Sequence, residues 1–411
     1  MSYLGELRAQ WRPLLAALIG LGAGFSMTNY VTSIMAPHLL RDFGWSKSEF
    51  ALIGSLGLVS VAVFPFVGRL TDIIGVRRTA LIGVVVAPLA FLGLSQMTGD
   101  IRIYIALFLL QAVLCVTTTT TVYSRVVVQY VTRARGLALA IVASGPALTG
   151  AIGGPILNNF VEAQGWRAGY LALVIFSAVA GATALLMLPP ERKNAEAAPP
   201  RAKTAKEDYA EIFRNRAFWL LLGAMLLCNL PQVIALTQLN LVLLDNGVSA
   251  KGVSAMISAF ASGVLLGRFA SGLALDRFPP YLVAGIGMTL SAIGLFLIAS
   301  NHDAPAVLML SVLLIGLSFG AEGDVVGYLV VRSFGVRVFS SVMGMLTATM
   351  AISSSIGAAL LSLMLKLTGG FEWFLMISGA AVVLGSLLFL LLPRDATPEA
   401  EQDAAGEPEP A

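Results

Sequence analysis

Long apolar stretches separated by short polar breaks run along almost the whole chain. A helix that crosses a bilayer needs about 20 apolar residues, and twelve stretches are close to this length or longer. They are residues 13–37, 48–68, 79–97, 102–131, 136–161, 168–189, 217–244, 252–275, 281–300, 305–331, 338–365 and 373–392. The breaks between them are rich in glycine, proline and charge, which is typical of turns. The pattern predicts an all-α integral membrane protein with twelve transmembrane helices.

The composition agrees with this pattern. Hydrophobic residues make up 57% of the 411 residues and charged residues only 12%, whereas a soluble domain carries about 25% charged residues. We therefore expect a lipid bilayer around the protein. The net charge of +3 is too small to indicate a nucleic-acid partner. Cys115 and Cys228 each fall inside an apolar stretch, so we interpret them as small core residues.

One sizeable hydrophilic connector, residues 190–216, divides the twelve spans into two sets of six. We predict an N-terminal half over residues 1–189, a cytoplasmic linker over 190–216 and a C-terminal half over 217–392. The acidic segment 393–411 is predicted to be a disordered cytoplasmic tail. We expect the two halves to be related by pseudo-symmetry and the protein to be a monomer.

The positions of lysine and arginine predict the orientation. With a cytoplasmic N-terminus, 18 of these residues fall on the inner side and 6 on the outer side, and Arg125 and Arg268 inside spans complete the total of 26. Cytoplasmic loops carry the excess of positive charge in membrane proteins. We therefore expect a multi-pass protein of the cytoplasmic (plasma) membrane with both termini inside.

A short motif recurs at the same place in each half. Span two closes with Gly68-Arg69-Leu70-Thr71-Asp72, and span eight with Gly272-Leu273-Ala274-Leu275-Asp276, so that a glycine precedes an aspartate by four residues in both. Repeated halves of this kind hold a substrate near the middle of the membrane. We interpret Gly68, Asp72, Arg77, Arg78 and Asp276 as gating residues at the cytoplasmic ends of their spans.

The segment from Gly68 to Arg78, GRLTDIIGVRR, resembles the loop between spans two and three of the major facilitator superfamily. Within that superfamily, Asp42-Phe43-Gly44-Trp45-Ser46 and the residues from Arg133 to Ala138 resemble the monocarboxylate transporters and the oxalate/formate exchangers. This resemblance implies a major facilitator fold and an alternating-access transport cycle.

In the same groups an arginine of span eight binds the substrate carboxylate, in a context like that of Arg268 to Leu273 here. The resemblance therefore implies that Arg268 binds substrate. The chain departs from the animal monocarboxylate transporters at Val264, where those proteins have an aspartate. Proton coupling through an aspartate at that position is therefore not carried over.

Four charged residues lie inside the predicted spans: Arg125, Arg268, Glu322 and Asp324. A buried cation needs a counter-charge, a ligand or water, so we interpret Arg268 as a carboxylate site, with a gate residue as the alternative. Arg125 is either a second ligand contact or a static partner of Glu322 or Asp324. We interpret Asp324, ahead of Glu322, as the residue that couples a proton to substrate.

Polar side chains elsewhere in the spans are further candidates for substrate binding. They are Asn29, Tyr30, Tyr123, Asn229 and Gln232. Such groups also form hydrogen bonds between helices, which is the alternative for each of them. The run Thr117 to Thr121 cannot face one cavity with all five side chains, and the sequence offers no account of it.

These features indicate a secondary transporter of a small organic anion, a monocarboxylate, coupled to protons by symport. A carboxylate exchanger, a proton-coupled drug efflux transporter and a membrane sensor are the alternatives. The sequence has no metal-ligand set, nucleophile constellation or nucleotide-binding P-loop. We therefore expect no enzyme activity, no cofactor and no metal. The sequence leaves open which carboxylate is bound and in which direction it moves.

Overall fold

The computed structural model describes residues 3–45, 58–189, 205–300 and 304–393, and every regular element in these ranges is a helix. The predicted half up to residue 189 contains α1 (Tyr3–Ala9), α2 (Trp11–Gly22), α3 (Met27–Phe43), α4 (Val59–Ile74), α5 (Val76–Ser95), α6 (Ile101–Leu114), α7 (Thr120–Tyr130), α8 (Arg135–Ala143), α9 (Gly145–Gln164) and α10 (Trp166–Met187). The rest contains α11 (Ala205–Arg214), α12 (Arg216–Cys228), α13 (Leu239–Asp245), α14 (Ala250–Leu275), α15 (Pro280–Ala299), α16 (Pro305–Phe334), α17 (Phe339–Thr368) and α18 (Glu372–Leu390).

Within the described ranges, nine helical segments are long and apolar enough to cross a membrane. They correspond to predicted spans three to six and eight to twelve. Spans one and seven contain the shorter apolar helices α2 and α12, because each is interrupted near its middle. The first part of span two, residues 48–57, lies outside the described residues, and α4 covers the remainder.

The chain divides into two compact units. The first comprises Met1–Arg133, Ile141–Pro200 and Val336–Met345, and the second comprises Ala134–Ala140, Arg201–Gly335 and Leu346–Ala411. Each unit thus contains one short segment from a distant part of the sequence. The domain boundaries predicted at residues 189 and 217 remain a prediction.

In the first unit, α10 packs against α5 and α2, and α2 packs against α7. One core cluster of this unit is rich in aromatic and methionine side chains. It includes Met35, Phe91, Met97, Tyr104, Trp166 and Tyr170. Apolar side chains interdigitate there as in a soluble core, and the exposed hydrophobic residues lie on the outer faces.

In the second unit, α16 packs along α14 and α15, and α18 packs against α15 and α12. Its core contains the α13 residues Val242 and Leu243 together with Leu295, Val312 and Phe374. These contacts hold α16 against several helices at once, which matters because α16 carries both Glu322 and Asp324.

Candidate functional site

Close packing of α14 and α16 brings Arg268 to Asp324. A side-chain carbon at Gly267 would lie 2.0 Å from the Leu317 carbonyl oxygen, and one at Gly320 would lie 2.0 Å from the Val264 carbonyl oxygen. Only glycine allows two backbones this near, as is common between membrane helices. This close approach holds Arg268, the residue after Gly267, beside Asp324, which lies one turn after Gly320.

Arg268 and Asp324 form an ion pair in which Nε lies 3.8 Å from Oδ2. This distance is longer than a hydrogen bond, and Asp324 Oδ2 accepts no hydrogen bond within the described chain. The arginine side chain is 18% exposed and the aspartate side chain 3%. The pair is therefore loose, and its cation is the more accessible partner.

Span seven is interrupted beside α16. Helix α12 ends at Cys228, Asn229 to Pro231 form a turn, and Ile234–Gln238 form a π-helix before α13 begins. Pro231 has no N–H to donate to the preceding turn, which favours the break. A discontinuous helix of this kind is tolerated in a membrane where protein or a cavity surrounds it.

Asn229 lies at this interruption, 1% exposed, and its side-chain amide interacts with the carboxylate of Glu322. The amide also donates to the Met225 carbonyl oxygen at 2.9 Å. The structure therefore brings together two predicted residues, Asn229 and Glu322, in a group separate from the Arg268–Asp324 pair. Gln232 is half-buried within the same interruption.

Span one and span four are also interrupted, and the threonine run explains how. Cys115–Thr118 form a 3₁₀ turn between α6 and α7. The hydroxyls of Thr117, Thr118 and Thr119 each donate to the carbonyl oxygen three residues earlier, at 2.7 Å. Thr118 Oγ1 also accepts from the backbone N–H of Phe25 at 3.0 Å, at the break between α2 and α3. The threonines therefore satisfy backbone groups that two interrupted helices leave unpaired.

Asp72, near the end of α4, binds the first turn of α17. Its carboxylate accepts from the Ser340 N–H at 3.1 Å and from the Ser341 N–H at 2.6 Å. The N-terminus of a helix attracts an anion because its N–H groups have no partner within the helix. Gly68 permits the approach, since a side-chain carbon there would lie 2.1 Å from the Ser340 carbonyl oxygen.

Arg125 completes this group and has a different partner from the one that the sequence suggested. Its guanidinium forms an ion pair and hydrogen bond with Asp72 and donates to the Val336 carbonyl oxygen at 2.8 Å. Of the two alternatives for Arg125, the static pair with Glu322 or Asp324 is therefore wrong, because α7 directs Arg125 to the end of α4. Arg77 and Arg78, which we interpreted as gating residues together with Asp72, are exposed at the first turn of α5.

Asp276 makes the matching contact in the second unit. It accepts from the Gly136 N–H at 2.7 Å and from the Leu137 N–H at 3.1 Å, at the first turn of α8. Gly272 lies against the Gly136 backbone, where a side-chain carbon would come within 2.7 Å of its carbonyl oxygen. Asp72 and Asp276 thus use their carboxylates in the same way.

The equivalent contacts follow a constant separation of 204 residues, as from 72 to 276. The pairs are Gly68 and Gly272, Asp72 and Asp276, Ser340 and Gly136, Ser341 and Leu137, Phe25 and Asn229, and Thr118 and Glu322. The last two pairs show that the Phe25–Thr118 contact of the first unit corresponds to the Asn229–Glu322 contact of the second. An alignment of the two halves at this separation places Thr118 opposite Glu322 and Ser340 opposite Gly136. The repeated glycine–aspartate motif alone does not identify Thr118 or Ser340.

The remaining predicted binding residues lie in the first unit. Tyr123 is fully buried, its hydroxyl has no hydrogen-bond partner within the described chain, and its ring packs against Gly20. Tyr30 is 38% exposed and its ring lies against Gly150. Asn29 belongs to α3, and its side chain lies outside what the structure describes. No contact described within either unit joins Tyr123, Tyr30 or Asn29 to Arg268.

The aspartate–tryptophan segment after span one has a structural role at the end of α3. Asp42 Oδ2 accepts from the Trp166 indole N–H at 2.7 Å, and the Trp45 indole N–H donates to the Gly99 carbonyl oxygen at 3.0 Å. The Trp166 bond, followed by the charges of Arg41 and Arg167, lowers the pKa of Asp42, although burial opposes the shift. This segment ties the ends of α3, α5 and α10 together.

Comparisons with known proteins identify the fold and a family. A family model described as Major Facilitator Superfamily matches residues 16–242 and 230–411. Human Monocarboxylate transporter 11 is 25% identical over 371 residues, which cover 87% of this chain and 78% of that protein. The mouse protein of the same name is 23% identical over 370 residues, covering 87% of this chain and 82% of that protein.

Solved transporter structures share the architecture at lower identity. The Escherichia coli fucose:proton symporter superposes with a TM-score of 0.73 at 14% identity, covering 95% of this chain and 99% of that chain. The human organic anion transporter MFSD10 superposes with a TM-score of 0.69 at 13% identity, covering 93% and 99%. At such identities the similarity concerns the fold alone. Together these findings confirm the fold that the sequence predicted.

Proposed function

Because the chain belongs to the major facilitator superfamily, and is therefore a multi-pass membrane transporter rather than an enzyme, we propose that it carries a small organic anion by alternating access. The proposed substrate is a monocarboxylate, moved together with a proton. Arg268 is proposed to bind the carboxylate, and Asp324 to take up a proton as the anion binds.

The observation that carries this proposal is the loose ion pair between Arg268 and Asp324. A guanidinium offers two parallel N–H donors that match the two oxygens of a carboxylate. In the resting pair the nearest atoms are 3.8 Å apart, so an arriving carboxylate can replace a contact that is not a hydrogen bond. The exchange keeps one anion beside the buried cation throughout, which burial requires.

Displacement of Asp324 supplies a reason for proton coupling. Its side chain is 3% exposed, and a buried carboxylate that loses its cation is unfavourable in the ionised form. Substrate binding to Arg268 therefore favours protonation of Asp324. In the substrate-bound state, Arg268 holds the anion and Asp324 holds the proton. In the substrate-free state, Asp324 is ionised and pairs with Arg268.

Two further observations support the substrate class. The curated relatives at 25% and 23% identity are named monocarboxylate transporters. Arg125 is buried in the Asp72 group. Of the two arginines inside the predicted spans, Arg268 is therefore the one left for substrate, which favours one carboxylate over two. A cationic substrate is disfavoured because Arg268 would repel it.

The proposed location is the cytoplasmic (plasma) membrane with both termini inside. This orientation places 18 of the 26 lysine and arginine residues on the inner side, as the charge distribution of membrane proteins requires. The partners proposed for the chain are thus the lipid bilayer, an organic anion and protons.

Uptake of labelled organic acids into proteoliposomes with an imposed inward proton gradient tests the function. The wild-type protein should accumulate at least one monocarboxylate. Arg268→Lys keeps the charge but loses the planar pair of donors, so we expect uptake to fall at least tenfold, the equivalent of about 1.4 kcal/mol.

Arg102→Lys is the matched control, because Arg102 is exposed at the first turn of α6, and it should transport normally. Normal uptake by Arg268→Lys would contradict the assignment of Arg268. Accumulation without any effect of the proton gradient would contradict symport and favour exchange of one anion for another.

A further inference from the structure

The group around Glu322 contains more hydrogen-bond acceptors than donors. Glu322 is 8% exposed and Asn229 1%. Within the described residues, neither Glu322 Oε1 nor Asn229 Oδ1 has a hydrogen-bond partner, although both are buried. Two unsatisfied acceptor oxygens on interacting side chains point to a missing donor, since buried polar groups are normally paired.

No basic side chain fills this role in the part of the chain that the structure describes. Arg268 pairs with Asp324, and no Lys, Arg or His nitrogen is recorded within salt-bridge distance of Glu322. The other ionisable group facing Glu322 is the Cys228 thiol at the end of α12, which also contacts Ser386 of α18. Helix α15 also packs against α16. Its sole ionisable side chain is Tyr281, near its first residue.

Glu322 and Asp324 face different neighbours because they are two residues apart on one helix. Side chains at this spacing point in directions about 200° apart around the axis. Asp324 meets Arg268 of α14, whereas Glu322 meets Asn229 of the interrupted span seven. The two acids therefore belong to separate groups.

The matching position in the first unit shows what a complete contact looks like. There the Phe25 N–H donates to Thr118 Oγ1 at 3.0 Å, and neither residue is charged. In the second unit the equivalent residues are Asn229 and Glu322, and an acid stands where a hydroxyl would be enough for packing. A charged residue at a position that a neutral one fills in the other half indicates a function beyond packing.

We propose that Glu322 is a second proton-binding site, separate from the Arg268–Asp324 pair, and that Asn229 positions the bound proton. One proton on the carboxylate converts Oε–H into a donor toward Asn229 Oδ1 and satisfies both acceptors. This inference rests on the proposed function, and it adds that each anion moves with two protons, one on Asp324 and one on Glu322.

The binding of the proton is tested without substrate, by infrared spectroscopy of the purified full-length protein during a pH titration. The wild type should show a carboxylic-acid band that Glu322→Gln removes and Arg268→Lys retains. Asn229→Ala keeps the acid but removes its acceptor, so the same band should shift in frequency. Glu162→Gln is the control, because the Glu162 side chain is 65% exposed, and the band should stay unchanged.

A titration in which Glu322→Gln is identical to the wild type at every pH would overturn the proton site. If Glu322→Gln fails to fold, the Asn229→Ala spectrum decides the same question with the acid still present. An unshifted band in Asn229→Ala would overturn the positioning role.

The transport consequence is tested by measuring proton and anion flux together in proteoliposomes. The ratio should fall from about two protons per anion in the wild type to about one in Glu322→Gln, since one titrating site is removed. A ratio that Glu322→Gln leaves unchanged would overturn the coupling role. Absence of Arg268-dependent uptake would instead contradict the proposed function, and the infrared result would stand independently.

Discussion

Five buried or half-buried carboxylates of the described chain fall into two kinds, according to the donors that surround them. Asp72 and Asp276 each accept two backbone N–H groups at a helix N-terminus. Glu6 of α1 likewise accepts from the N–H groups of Thr132 and Arg133 at 2.9 and 3.0 Å. These carboxylates are satisfied by backbone donors, which suits a structural or gating role.

Glu322 and Asp324 are the opposite kind. Each has one oxygen without a hydrogen-bond donor in the described structure, so a proton or a new donor can satisfy it. Acids that are poorly satisfied in the resting structure are suited to exchange partners during a cycle. This contrast, rather than burial alone, separates the proposed coupling residues from the gating ones.

Asp42 leads to a prediction about acid stability. Its pKa is lowered chiefly by the Trp166 indole bond. At a pH above the ordinary pKa of an aspartate, the ionised carboxylate therefore stabilises the folded state. This contribution is lost as the pH falls through the lowered value. Trp166→Phe should therefore reduce the loss of thermal stability between about pH 5 and pH 3, by no more than about 1 kcal/mol because the carboxylate is partly exposed.

Thermal unfolding in detergent across that pH range provides the measurement. Trp45→Phe is the control, because its indole donates to a backbone carbonyl that does not titrate. The control should lower the unfolding temperature equally at each pH. An identical pH dependence in Trp166→Phe and the wild type would show that the indole bond does not perturb Asp42.

At the scale of helices, interruptions are where this protein departs from a simple set of spans. The breaks in spans one and four are joined by the Phe25–Thr118 bond. The break in span seven meets α17, where Ser353 donates to the Leu226 carbonyl oxygen and Gly357 lies against Leu230. Hydroxyls and close backbone contacts thus satisfy groups that a regular helix would have paired.

Thr118→Val tests the role of this joint. Valine keeps the shape of threonine but cannot accept from the Phe25 N–H, which would be left unsatisfied in a partly buried site. We expect a loss of about 1–3 kcal/mol in unfolding free energy, measured as a lower unfolding temperature. Transport should fall as well if the two breaks move together.

Thr117→Val is the matched control for that experiment. Its hydroxyl donates to the Leu114 carbonyl oxygen, three residues earlier. In the described structure it accepts no hydrogen bond from a distant backbone N–H. Its loss should therefore cost clearly less than the loss of Thr118. Equal destabilisation by both substitutions would mean that the Phe25 contact contributes nothing specific.

At the scale of the whole molecule, the two units repeat each other's contacts at a fixed separation of 204 residues, as from 72 to 276. The aspartates after spans two and eight keep the same chemistry in both. The positions of Phe25 and Thr118 correspond to Asn229 and Glu322, where the chemistry differs. A duplicated fold thus keeps the aspartate contacts alike, while at this second pair of positions only the second unit carries a charge.

The proposed orientation is tested by labelling single cysteines from outside intact cells. Lys206→Cys in α11 should be unreactive to an impermeant maleimide, because the linker is predicted to be cytoplasmic. Asp245→Cys at the end of α13 should react, because that turn is predicted to face outward. Both positions are exposed, and the wild type controls for Cys115 and Cys228, which lie inside predicted spans.

Reaction of Lys206→Cys only after the membrane is permeabilised would agree with the orientation. The reverse pattern, with Lys206→Cys labelled in intact cells and Asp245→Cys protected, would contradict it. The topology would then be inverted, and the inner and outer charges would have to be reassigned.

The sequence by itself determined the class of fold, the membrane spans and the repeated motif, because each depends on local composition and spacing. Twelve apolar stretches of membrane length leave few alternatives, and a glycine four residues before an aspartate is visible without a structure. The charged residues inside spans were found for the same reason, since each stands alone in an apolar segment.

Only the tertiary structure decided the partners of those residues. Arg125 pairs with Asp72 rather than with an acid of α16, and the threonine run serves two helix breaks rather than a cavity. Such contacts join residues far apart in sequence, and their choice depends on helix rotation and on how closely two backbones approach. Rotation and approach are set by packing against several neighbours at once, which the pattern along a single chain does not encode.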